Sequence, residues 1–167
     1  MKTKRLTELA LLTAVALIIF VVELQIPNPI PIPGAKLGLA NIITVFAIYS
    51  YQAREVFLIV LCRTVLGSIF GGNMMALFYS LAGGFLCLVG MWLLKRILSQ
   101  KYIWLCSVFG AIFHNVGQSI VACIIAGMGM IVYLPFLLVS GCLAGAFTGA
   151  CVQVVIYRID IVRNKEY

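Results

Sequence analysis

The sequence predicts an all-α, polytopic membrane protein, with six transmembrane helices forming a single integral domain over residues 1–167. Composition is the first reason. The chain is 63% hydrophobic and 10% charged, with a mean hydropathy of +1.13, whereas soluble domains carry about 25% charged residues. Too few polar side chains are present to clothe a water-soluble globule of this length. Segment length is the second reason: the apolar runs between polar breaks approach the ~20 residues that a helix needs to cross a bilayer. The third is the placement of charge. The net charge of +7 comes from lysines and arginines in short clusters between apolar runs, the pattern that orients a membrane chain. They do not gather on one helix or face, so the lipid bilayer is the expected partner and nucleic acid is not.

The first span is expected over 6–24. The opening "MKTKRLTELALLTAVALIIFVVE" has the basic start and apolar stretch of a signal peptide, but no small-x-small cleavage site follows and Glu23 closes the run. It reads as a retained helix. "IPNPIPIPGAKLGLAN", residues 26–41, then sets a proline at every second position. Alternating prolines fix φ and favour an extended, polyproline-like arm, and Gly34 allows a turn that brings Lys36 to the mouth of a short second span, 37–52. Such an arm is either a lid over a pocket or an interfacial connector. The third span, 55–72, is parted from the fourth, 74–94, only by Gly71, Gly72 and Asn73. The fifth and sixth are expected over 103–127 and 133–157.

Six spans place Lys2, Lys4, Arg5, Arg54, Lys95, Arg96, Lys101, Arg158, Arg163 and Lys165 on one side. Lys36 alone falls opposite, and Arg63 is left within a span. The positive-inside rule then puts both termini in the cytoplasm, the protein in the cell membrane and the proline arm outside. Gly67 and Gly71, and the series Gly141, Gly145 and Gly149, have the four-residue spacing that lets helix backbones approach closely in lipid. That seam lies either inside one copy or between two. The cysteines at 62, 87, 106, 123, 142 and 151 all sit in apolar runs without CxxC spacing, which points to packing rather than disulfides or metal.

Ionisable and amide side chains inside a bilayer are costly and mark functional sites by default. The candidates are Asn41 at the outer end of the second span, Arg63 about halfway along the third, and His114, Asn115 and Gln118 in "AIFHNVGQS" of the fifth. His114 and Gln118 are four apart and share a helix face, with Asn115 about 100° round. They either line a ligand site or hydrogen-bond neighbouring helices. Arg63, with no acid expected at its depth, either snorkels to the inner face or pairs with Glu8, or else turns its guanidinium fork into a cavity to hold a carboxylate or phosphate. Lys36 joins the group from the arm.

Several chemistries lack their residues. No G-x-x-x-x-G-K-[ST] phosphate loop occurs, and Asp160 is the only aspartate, so no Ser-His-Asp set is plausible. One histidine and scattered cysteines do not make a metal site. Magnesium-dependent diphosphate chemistry needs clustered carboxylates, and the five acids are dispersed. No cofactor and no enzymatic activity of its own is expected.

Taken together and in order, "PGAKLGLAN", "LCRTVLGSIFGG", "SLAGG" and "HNVGQ" resemble the Gx transporter family, also labelled component I of heptaprenyl diphosphate synthase, from about Leu6 to Tyr157. That family is similar in turn to the substrate-binding S components of energy-coupling factor (ECF) transporters. The resemblance implies six helices, a small ligand in the outer half and a first outer loop that gates it. It also implies docking through small residues of the first helix, here Ala10 and Ala14, on a transmembrane coupling protein with ATPases. An isoprenoid, quinone precursor or flavin is the implied ligand class. The alternative is a non-catalytic accessory subunit of a prenyl synthase or of an extracellular electron-transfer system.

Overall fold

The computed structural model describes residues 3–25, 38–72 and 74–165; the proline arm with Lys36, and Asn73, lie outside them. Six α-helices follow one another: α1 (Thr3–Gln25), α2 (Asn41–Ser50), α3 (Ala53–Phe70), α4 (Met74–Ile97), α5 (Ile103–Ala126) and α6 (Leu134–Lys165). Short 3₁₀ turns, Gln100–Tyr102 and Met128–Tyr133, lead into α5 and α6. Gly38, at φ +73°, takes the left-handed conformation that a residue with a Cβ resists. Its carbonyl accepts the Asn41 N–H at 2.9 Å, which turns the chain into α2.

Polar contacts show that the helices alternate in direction. Arg5, at the start of α1, grips Glu55, in the first turn of α3, through both carboxylate oxygens at 2.6 and 2.7 Å. Glu55 also accepts the Gln52 N–H at 2.9 Å, closing the start of α3 in the manner of a capping box. Lys95, in the last turn of α4, donates to the Ile48 carbonyl near the end of α2 at 2.6 Å, where cationic charge favours a helix C-terminus. Gln153 of α6 donates to the Lys101 carbonyl at 2.8 Å and accepts the Trp104 N–H at 3.3 Å. One end of the bundle therefore collects the α1 start, the α2–α3 turn and the α4–α5 turn, with their basic residues.

Four helical stretches are long and apolar enough to cross a membrane: Thr3–Glu23, Met74–Ile97, Gln100–Ala126 and Met128–Ile161. The six expected spans thus correspond to six helices of which two fall short of that standard. α3 is long enough, but Arg54, Glu55 and Arg63 load its 18 residues with charge. α2 has 10 residues, which at 1.5 Å per residue is ~15 Å, half of the ~30 Å hydrocarbon thickness. Its N-terminus consequently stops halfway up the bundle. Outward faces are apolar throughout, with Leu11, Ile18, Phe70, Phe78, Phe85, Ile124, Phe136, Leu143 and Phe147 exposed.

The apolar core fills the basic half: Leu9, Val45, Ile48, Val56, Ile59, Cys87, Met91, Ile103, Cys106 and Val152 pack together there. Glycines set the helix spacing. A Cβ on Gly117 would lie 2.7 Å from the Ala82 carbonyl oxygen and 2.9 Å from the Gly83 Cα, so α4 and α5 touch backbone to backbone. Gly145 and Gly149 seat α6 on Ser107 and Trp104 of α5, and Gly67 meets the Phe20 ring of α1. Gly67 and the series Gly141, Gly145 and Gly149 therefore pack within one copy of the chain. All six cysteines are free thiols.

Because backbone cannot move aside as a side-chain tip can, Gly117→Ala is expected to lower stability by about 1–3 kcal/mol. Gly129→Ala, with no atom within 4 Å of the added carbon, should stay within about 0.5 kcal/mol. Thermal unfolding of the detergent-purified variants checks the contrast.

Candidate functional site

Above the apolar base lies a polar chamber, centred on the N-terminus of α2. Its lower lobe is lined by Asn41, Thr44, Ser107, His114, Asn115, Gln118 and Thr148, with Gly110, Gly141 and Gly145 at the walls. Its upper lobe shares Gly38, Asn41, His114 and Gln118 and adds Phe20, Glu23, Arg63, Thr64 and Ser80. Each lobe has about 40 Å³ open to water, room for a few molecules at the ~10–15 Å³ that one needs on this measure. A compartment lined by Tyr79, Ser119, Ala122, Met130, Tyr133 and Leu137 adjoins through Gln118, which lines all three.

The polar residues reach the chamber because of helical spacing. Ser107, Ala111, His114 and Gln118 recur at intervals of four, three and four, one stripe along α5. Across from it, Gly141, Gly145 and Thr148 form the facing stripe on α6. Asn41 and Thr44, three apart, share the inner face of α2. At the floor, the Ser107 and Thr148 hydroxyls lie 3.2 Å apart, and Thr148 Oγ1 donates to the Ala144 carbonyl at 2.9 Å, leaving Ser107 to donate across the helix pair.

Arg63 is 7% exposed. Its Nη2 donates to Asn41 Oδ1 over a long 3.4 Å, while Nη1 is buried without a hydrogen-bond partner. No carboxylate stands within 4.0 Å of the guanidinium among the described residues. Glu8 does not serve it; that acid is at the basic end, accepting from the Tyr51 hydroxyl at 3.3 Å. There, in the α2–α3 turn, burial first and Glu8 second push the Tyr51 phenol above its ordinary pKa. Glu23 is the acid of the upper lobe, contrary to the expectation that none lies near the arginine's depth. It is 7% exposed and accepts the Gly38 N–H at 2.5 Å. An arginine at a bilayer centre costs ~2.5–3.5 kcal/mol on insertion scales. Interhelical hydrogen bonds in membranes return only ~0.6 kcal/mol on average, and at 3.4 Å the contact with Asn41 is a long one that does not offset the burial.

The other candidates divide. Gln118 is 8% exposed and no hydrogen bond of its amide is made among the described residues. Asn115 instead donates to the Leu137 carbonyl at 2.5 Å, tying α5 to α6, so it is a strut as much as a wall. His114 lines both main lobes, with its ring against Gly83 of α4. Lys36 lies outside the described residues. Ala10 and Ala14 are exposed on α1, away from the chamber. Glu23, Thr44, Ser107 and Thr148 are chamber residues that the sequence reading did not gather. The heptad-like spacing on α5 was the available signal for Ser107, and Asn41's i+3 neighbour for Thr44.

A roomier cavity lies elsewhere. About 310 Å³ lies at the basic end between Tyr51, Gln52, Val56, Leu88, Trp92 and Lys95. Its cation is already committed, for Lys95 donates to Ile48 and lies 5.3 Å over the Tyr49 ring. Arg96 beside it stacks on Trp92 at 3.7 Å.

An all-helical bundle with four membrane-length helices, an apolar exterior and a buried polar chamber defines a multi-pass membrane protein. The chain belongs to the family described as heptaprenyl diphosphate synthase component I, whose family model matches residues 12–155. Among curated proteins and among solved structures, none matches it.

Asn115→Ala is expected to cost about 0.6–1.7 kcal/mol, the range of interhelical hydrogen bonds in membranes. Asn115→Asp, unable to donate when ionised, should do no better. Detergent unfolding temperatures test both.

Proposed function

We propose that this chain is a membrane-embedded subunit that binds a small molecule and moves it across the bilayer, built as one domain on the plan of an ECF S component. The observation that carries the reading is Arg63, a buried cation with an unpartnered Nη1, facing a polar chamber halfway through an otherwise apolar bundle. Burial of an unsatisfied charge in lipid is retained where a ligand completes it. In this reading all six helices belong to the membrane, α2 as a half-length segment. The end that gathers Arg5, Arg54, Lys95, Arg96 and Lys101 is cytoplasmic, with both termini. Ala10 and Ala14, exposed on α1, face an energising coupling protein. Prenyl transfer is not assigned to the chain, since it requires carboxylates clustered around Mg²⁺ and Glu55 is already clamped by Arg5.

The family's description favours one other reading, an accessory membrane subunit of a prenyl synthase that carries nothing. Native mass spectrometry of the detergent-purified protein, followed by denaturing extraction, separates the two. A binding subunit should retain a stoichiometric small molecule that is lost in His114→Ala and Gln118→Ala variants. A chain that is empty and instead retains a synthase would support the accessory role.

Orientation is tested in a cysteine-free background. Gly129→Cys should react with a membrane-impermeant maleimide in intact cells, and Lys101→Cys only after permeabilisation. The opposite labelling would invert the assignment.

A further inference from the structure

Resting on the binding-subunit reading, the geometry points to a ligand bearing a single carboxylate, held in the upper lobe between Arg63 and the N-terminus of α2. Three independent features converge there. The first is the guanidinium. Arg63 is nine-tenths buried, lines the lobe and has Nη1 without a partner, leaving donors of a planar fork whose shape matches a carboxylate.

The second is the helix end. α2 begins at Asn41, the residue that Arg63 touches, and its N-cap is Ala40, which supplies no side-chain cap; no acidic residue stands in its first turn. A helix N-terminus carries roughly half a positive charge. Here it begins beside a buried arginine, so two positive poles share a low-dielectric chamber with one described carboxylate, Glu23, and leave charge for one further anion.

The third feature limits which anion. Glu23 lines the same lobe, held by the Gly38 N–H at 2.5 Å. Its carboxylate supplies one negative charge to the site without closing onto the guanidinium, and it repels a second or third. With one negative charge already in the lobe, the balance favours a compact monoanion over a diphosphate.

The test uses the full-length protein in detergent. Its unfolding temperature is followed during titration with sodium acetate, benzoate, octanoate, inorganic phosphate and pyrophosphate, each against sodium chloride at equal ionic strength. Saturable stabilisation by carboxylates, with pyrophosphate no better than chloride, is the expected result. The midpoint should weaken at least tenfold in Arg63→Gln. In Glu23→Gln, with the repelling charge removed, phosphate should gain on the carboxylates. That change of ranking is one that a merely structural role for Glu23 would not produce, and it carries the test if Arg63→Gln fails to fold. Octanoate far exceeding acetate and benzoate would identify a fatty acid drawn from the bilayer, and benzoate leading would identify a water-soluble aromatic acid; both support the carboxylate. Absence of any saturable carboxylate effect, or preference for pyrophosphate in the unmutated protein, overturns it. A neutral molecule found bound by mass spectrometry would overturn the carboxylate while leaving the binding-subunit reading standing.

Discussion

The half-length of α2 is the constraint on which the rest of the architecture depends. A helix that begins inside a bundle presents a positive pole that apolar surroundings cannot satisfy, so irregular backbone there persists only where protein or a polar cavity surrounds it. Gly38 folds the chain into that position. Arg63 and Asn41 meet there, and Glu23 reaches in from α1 to take the Gly38 N–H. The polar stripe of α5 and the glycine stripe of α6 face the same point. Each of these features would be a defect in a simple apolar bundle, and together they form one chamber.

The two halves of the molecule answer different demands. The basic half is tied by Arg5 with Glu55, Lys95 with Ile48 and Gln153 with Lys101, and the apolar core lies there. Without a strong hydrophobic drive between helices in lipid, close backbone approach and a few interhelical hydrogen bonds must hold the bundle. The α4–α5–α6 glycine contacts supply that approach. The other half keeps polar groups without full partners, a cost tolerable only because the base fixes the helices on either side of it.

Much of this was legible in the sequence, and the misses have physical causes. Long apolar runs announced α1, α4, α5 and α6, because bilayer thickness imposes a length that composition reveals. The small-residue spacing announced the seams but not their partners, since four-residue periodicity is the same whether the facing helix is in the same copy or another. Asn41, Arg63, His114 and Gln118 stood out because polar side chains are conspicuous amid apolar ones. Asn115 was equally conspicuous, yet it also braces α6, for an amide reports its cost and not its use. The second helix begins at Asn41, later than the expected 37, the apolar residues before Asn41 having prolonged its pattern. Glu23 was read as a terminator for the same reason: helix periodicity locates residues along an axis and says nothing of which distant segment folds back beside them.

A guanidinium with an unpartnered Nη1, a helix N-terminus and a carboxylate line one chamber, and the proposed anion site rests on that juxtaposition. The most direct measurement is an experimental structure of the protein purified with whatever it carries, at a resolution that shows single small groups. The account predicts non-protein density bridging Arg63 Nη1 and the start of α2, with Glu23 still on the Gly38 N–H. A guanidinium closed directly onto Glu23, with the chamber empty between them, would contradict it.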